Sequence, residues 1–265
     1  VSDERALATW LSGRDDAALA GIFAARGVSA AAGWQDYFDA AEALLDAASV
    51  DRALTHLPRA ALIALRGMDA AASVPADLAL LDERGAPFPT VATRVAEFAA
   101  ERPDAFTISG APAARATGGE AAAAEHAFTT AGSLADVLLA CLHSPLARTG
   151  TGAIAAVDRK KLTDAGAVGS AEELDDLVTS AVAAGLARGA EREWAVTDGG
   201  EHWLEAPTAE RWTTIVEGFL RSLPAGLRAP SGAVADPSLW ADAYPLDTDW
   251  PERSARLERI AQRWG

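Results

Sequence analysis

Nucleophilic or metal-assisted chemistry would need a nucleophile beside a base, or several His, Cys and acidic residues at ligand spacing. The sequence offers one cysteine, Cys141, and four histidines, His56, His126, His143 and His202. The histidines are far apart, with no i, i+4 pair and no H-E-x-x-H, and Cys141 has no C-x-x-C partner. Cys141 lies in the apolar run LADVLLACLH and reads as a buried structural thiol. The glycine-rich pieces RTGTGA and ATGGEA lack the G-K-[ST] ending of a phosphate loop and the strand-loop-helix setting of a dinucleotide site. They read as turn material. No enzyme, no cofactor and no metal site is expected from these patterns.

Titratable residues gather instead in SAEELDDLVTSAVAAGL, Ser170 to Leu186. This stretch predicts a helix with Ser170 as N-cap and Glu173 completing an S-x-x-E capping box. Glu172, Glu173, Asp175 and Asp176 fall in its first turns, where carboxylates complement the helix dipole. Leu174, Leu177, Val178, Ala181 and Val182 are expected to hold it to a core, leaving Glu172, Asp175 and Asp176 outward. Strands are expected at Leu186–Ala190 and Glu193–Thr197, with Asp198-Gly199-Gly200 reversing the chain. That order is the second half of a winged helix, whose third helix normally enters a DNA groove. Four carboxylates there would repel phosphate.

Basic residues near this helix are the nucleic-acid candidates. Arg159, Lys160 and Lys161 begin the preceding short helix, and Arg188 and Arg192 flank the expected hairpin. Among the eight tryptophans, Trp10, Trp34, Trp203 and Trp212 lie in phase with helical apolar positions and read as core anchors. Trp194 in the hairpin and Trp240, Trp250 and Trp264 in the tail join Glu172, Asp175 and Asp176 as protein-interaction candidates, because tryptophan is favoured at interface hot spots.

Helical spacing of apolar residues must supply the frame for all of these. It predicts helices near 3–12, 15–26, 34–47, 50–66, 134–143, 157–165, 170–184 and 208–222. Trp34, Phe38, Ala41, Leu44 and Leu45 share one face, Ser49 is the expected N-cap of the next helix, and Pro58 starts a further one ending at Gly67. PADLALLDERG predicts a helix closing at Gly85, followed by the extended piece APFPTVAT and the helix RVAEFAAERP. Leu257, Ile260 and Trp264 stripe a last helix. The fold class is mainly α: a helical N-terminal region (1–67), a reduced winged-helix continuation (68–105), a linker with room for one alanine helix (106–132), a winged-helix domain with a short wing hairpin (133–224), and a tail with a terminal helix (225–265).

The chain has 265 residues, 50% of them hydrophobic, enough to bury a core. Its formal charge of −15 disfavours bulk nucleic-acid affinity, although abundant Ala with Asp and Glu also follows from a GC-rich or salt-adapted genome. Apolar runs are broken before membrane-span length, so a cytoplasmic protein without membrane contact is expected. A chain starting at Val1 and stopping one residue after Trp264 reads as a fragment of something longer.

The run SVDRALTHLPRAALIAL, the module LACLHSPLARTGTGAIAAVDRKKL, the helix APTAERWTTIVEGFL and the tail WADAYPLDTDW together resemble the N-terminal region of actinobacterial helicase-associated proteins, which are related to the N-terminal domain of XPB-type DNA helicases. The resemblance spans most of the chain and implies winged-helix architecture and a link to DNA repair or transcription. It implies no helicase motor, since the G-K-[ST] loop and the D-E-A-H-type box are absent, and it carries no functional residues over. Three readings stay open: a non-enzymatic interaction scaffold that binds a protein partner or the remaining domains of a longer chain, a DNA-binding module on the basic patch, and an unrecognised enzyme.

Overall fold

Helical apolar spacing governs nearly the whole chain, and the computed structural model is mainly helical. It describes residues 2–29, 31–67, 74–107, 119–228 and 232–265. Two compact units result, and the chain visits each more than once. The first comprises residues 1–112, 225–229 and 238–251, the second 113–224, 230–237 and 252–265.

The first unit holds α1 (Asp3–Ser12), α2 (Asp16–Ala25), α3 (Tyr37–Leu45), α4 (Ala47–Thr55), α5 (Arg59–Gly67) and α6 (Pro89–Glu101). Aspartates start three of them: Asp15, Asp36 and Asp46 accept hydrogen bonds from the first-turn amides of α2, α3 and α4. Asp46 therefore takes the role expected of Ser49, which is buried within α4. Leu7, Leu11, Leu44, Leu54, Leu62 and Val91 are fully buried in one cluster. Phe38 departs from the expected inward face and is 45% exposed. The helix expected over residues 75–85 shrinks to a single 3-10 turn, Ala76–Leu78, because Leu81 bridges Pro87 and Asp82 organises the turn between them. The extended piece ends at Phe88, and Pro89, which lacks an N–H, opens α6 where that donor is dispensable.

The tail closes this unit. Trp240 is 2% exposed and Trp250 is wholly buried, with the Trp250 indole N–H donating to the Trp240 carbonyl at 2.7 Å. Tyr244 lies against Trp250 with ring centroids 4.4 Å apart, and its hydroxyl accepts from the Gly226 amide. A Cβ on Gly226 would come within 2.9 Å of both the Tyr244 ring and Pro58, so only glycine lets these segments meet.

In the second unit come α7 (Glu120–His143), β1 (Leu146–Ala147), α8 (Ala156–Asp164), α9 (Ala171–Ala183), β2 (Ala187–Gly189), β3 (Glu193–Val196), α10 (Asp198–Glu205), α11 (Thr208–Ser222) and the part of α12 (Trp250–Trp264) beyond Pro251. Residues 120–132, expected as linker, form the first half of α7, since alanine-rich sequence favours helix. Residues 108–118 of that linker lie outside the described residues. The strands form one antiparallel sheet in the order β1-β3-β2, with Leu146 opposite Trp194 and Ala187 opposite Val196.

The hairpin turns at Glu191–Arg192, where the Ala190 amide donates to the Glu193 carbonyl, and not at Asp198–Gly200. Thr197 instead caps α10, accepting from the Gly200 amide at 3.1 Å. A Cβ on Gly200 would collide with the Leu186 carbonyl oxygen and approach Val196 Cγ1 to 2.5 Å. Glycine is there for close packing of helix under strand, which the sequence alone presents as turn chemistry.

Candidate functional site: the acidic helix and the arginine stripe that covers it

α9 is the element on which the titratable residues converge. Ser170 accepts from the Glu173 amide at 3.0 Å, as a capping residue should, while Glu173 reaches back to the Gly169 amide at 2.7 Å, one residue short of the usual box. Leu174, Leu177 and Ala181 are at most 1% exposed and seat the helix in the core. Val178 is only half-buried and Val182 is 42% exposed, so the apolar stripe is narrower than the spacing suggests. Gly218 of α11 explains how closely its neighbour approaches: a Cβ there would strike the Ala184 Cα and sit 2.8 Å from the Ala184 nitrogen.

Asp176 does not face outward. Its side chain is wholly buried beneath α12, whose Arg256, Arg259 and Arg263 repeat at three and four residues and form one basic stripe. Arg259 grips both carboxylate oxygens, Nε donating to Oδ2 at 2.8 Å and a terminal nitrogen to Oδ1 at 3.1 Å. Arg263 Nε donates to Oδ2 at 3.1 Å, and Arg256 Nε stands 3.6 Å from Oδ1. The same stripe answers the neighbouring acids, Arg259 pairing with Glu172 at 3.2 Å and Arg263 with Glu173 at 3.8 Å. Arg256 also donates to the Asp175 carbonyl and to Thr179 Oγ1, and the Trp264 indole N–H donates to Ser180 Oγ at 3.0 Å. The hydrogen bond to Asp176 holds the Arg259 guanidinium above its ordinary value.

Forked guanidinium–carboxylate bonds are strong, and burial lowers the effective dielectric around them. A buried carboxylate that accepts three guanidinium hydrogen bonds and faces a third arginine is an anchor for α12. The desolvation cost of burying Asp176 is offset only while all of these partners remain.

Asp175 is claimed by Arg159, whose two terminal nitrogens lie 2.9 and 2.6 Å from its oxygens. Arg159 is thereby diverted from phosphate contact. Lys160 pairs with Asp164 one turn on, at an exposed position. Lys161, Arg188 and Arg192 are exposed. Of the interaction candidates, Glu172 is exposed, Asp175 is half-buried, and Trp194 is half-buried with the Arg148 guanidinium 5.6 Å from its ring centre. Trp240, Trp250 and Trp264 are core residues and offer no free docking surface. Trp212, expected in the core, is 41% exposed, and its indole N–H donates to the Trp264 carbonyl at 2.8 Å. Cys141 is buried, its thiol donating to the Trp194 carbonyl at 3.1 Å, and burial pushes its pKa up.

Among the described residues, no cluster of three or more His, Cys, Asp or Glu is placed to hold a metal, and no helix is long and apolar enough to cross a membrane. No family model, curated protein or solved structure matches the chain. The residues that sequence reasoning missed are Arg256, Arg259 and Arg263. Their signal is the R-x-x-R-x-x-x-R spacing on the helix already marked by Ile260 and Trp264, complementary in length and sign to the acids of α9.

Proposed function

We propose that this chain is a non-enzymatic protein-interaction scaffold whose second unit has winged-helix architecture, with the third helix given over to holding the chain's own terminal helix. Support for the architecture comes from the order helix, strand, helix, helix, hairpin and from the strand order β1-β3-β2. The observation that carries the functional reading is the burial of Asp176 under Arg256, Arg259 and Arg263. In a DNA-reading winged helix the third helix carries basic and polar groups and is open to the groove. α9 is acidic, and α12 lies against it. The resemblance to helicase-associated N-terminal regions supports a non-motor role in an assembly serving DNA repair or transcription.

Fluorescence anisotropy of a labelled duplex, at about 50 mM and 200 mM salt where phosphate contacts differ most, tests this. The expected result is no saturable binding at micromolar protein. The second reading, a DNA-binding module, is favoured by the exposure of Lys161, Arg188 and Arg192. Tight, salt-sensitive binding abolished by Lys161→Glu, Arg188→Glu and Arg192→Glu together would establish that reading and overturn the scaffold.

A further inference from the structure

We propose that the groove between α7 and α11 in the second unit receives a basic amphipathic helix of a partner protein. This rests on the interaction-scaffold reading and assigns that reading a surface. The groove has a volume of about 1250 Å³. Ala123, Ala127 and Ala131 line one wall at helical spacing, Ala127 and Ala131 each 5% exposed at its floor, so the surface open to an occupant is carried by the aromatic side chains beside them. Phe128, 65% exposed, and Trp212, 41% exposed, stand on the opposing helices as two aromatic anchors. Trp212 is held in place by its hydrogen bond to the Trp264 carbonyl, so one anchor is ordered before any partner arrives. From Glu120 to Ala131 the α7 wall runs on the order of 16 Å at 1.5 Å per residue, about three turns of an incoming helix.

Charge fixes the kind of helix. Glu120 is the one ionisable side chain lining the groove among the described residues, Glu210 stands in the first turn of the other wall helix, and the whole chain carries −15. An occupant flanked by Lys or Arg is attracted, and one flanked by Asp or Glu is repelled. The second unit already uses this chemistry once, seating the arginine stripe of α12 on the acids of α9.

Two designed peptides of equal length test the assignment, each with leucines at i, i+3, i+4 and i+7, one flanked by lysines and one by glutamates. Their anisotropy is titrated with the protein at near-physiological salt. The lysine peptide should bind, and Phe128→Ser should weaken it on the order of tenfold or more, as truncating a central aromatic anchor does. Glu120→Lys should also weaken it, beyond Glu217→Lys, which makes the same charge change elsewhere on α11. Equal binding of both peptides, or indifference to Phe128→Ser and Glu120→Lys, would overturn the proposal. Self-association of the parent protein in sedimentation, lost in Phe128→Ser, would overturn it by showing that a second copy fills the groove. Phe128 is exposed, so its variant should fold, and circular dichroism checks this; if it does not fold, the comparison of Glu120→Lys with Glu217→Lys decides. Peptide indifference without duplex binding removes the groove assignment alone, whereas duplex binding removes the scaffold reading itself.

Discussion

Asp176 shows how one residue can be read correctly in type and wrongly in place. An acid in the first turns of a helix is ordinarily solvated, and the spacing of α9 gives no hint that its side chain is enclosed by three arginines. Removing the carboxylate takes away the one buried counter-charge the three arginines share, leaving Glu172 to Arg259 and Glu173 to Arg263 at the edge of the cluster. Asp176→Ala should therefore destabilise the fold by about 3–5 kcal/mol in urea unfolding. A loss below about 1 kcal/mol would mean that α12 is held by Ile260 and Trp264 alone. Cys141 offers a second test. Burial raises its pKa, so the neutral thiol is favoured on folding; that contribution is fully present below the ordinary thiol value and declines as pH rises above it. At pH 8 the native thiol should react with a disulfide reagent far more slowly than in denaturant, and equal rates would contradict its burial.

At the scale of elements, glycine decides where helices and strands can touch. Gly218 faces Ala183 and Ala184 so closely that a methyl group would meet backbone, which cannot rotate away. Gly218→Ala would gain helix propensity in isolation, yet overpacking at this contact should destabilise the protein by about 1–3 kcal/mol in denaturant titration. A stabilised variant would show that α11 does not approach α9 as described. Gly200 plays the same part for α10 beneath the sheet, which is why a D-G-G sequence that suggests a reversal begins a helix. The real reversal, Glu191–Arg192, lacks any turn-specific residue and is set by pairing of the strands on either side.

For the whole molecule, two compact units with separate cores imply two places where stability can be lost independently. In the first, Arg26 is 6% exposed and donates to the Leu78 and Leu44 carbonyls and to Ser49 Oγ, joining four segments with no carboxylate partner among the described residues. Burial, aided by repulsion from Arg52, lowers its pKa to about 10, so it stays charged at neutral pH. Arg26→Met would leave those three acceptors unpaired. In scanning calorimetry Arg26→Met should lower one transition and Asp176→Ala the other. A common shift of a single transition in both variants would show that the two units unfold together.

Helix existence was written in the sequence almost throughout, because three- and four-residue apolar spacing and Asp or Ser caps are local signals that tertiary contacts here reinforce. α1, α8, α9 and α11 lie within a residue or two of the expected bounds. The strands β2 and β3 lie within the expected Leu186–Ala190 and Glu193–Thr197 and Trp203 is buried as expected, whereas turn placement and the depth of Trp212, Trp240, Trp250 and Trp264 were not legible. They depend on which distant segment arrives to cover a face: the tail buries Trp240 and Trp250 in one unit and Trp264 in the other. The sequence determined that α9 carries acids and α12 carries arginines at matching spacing. Only the tertiary structure brought them face to face, since a helix pattern specifies which residues share a side but not what that side will meet.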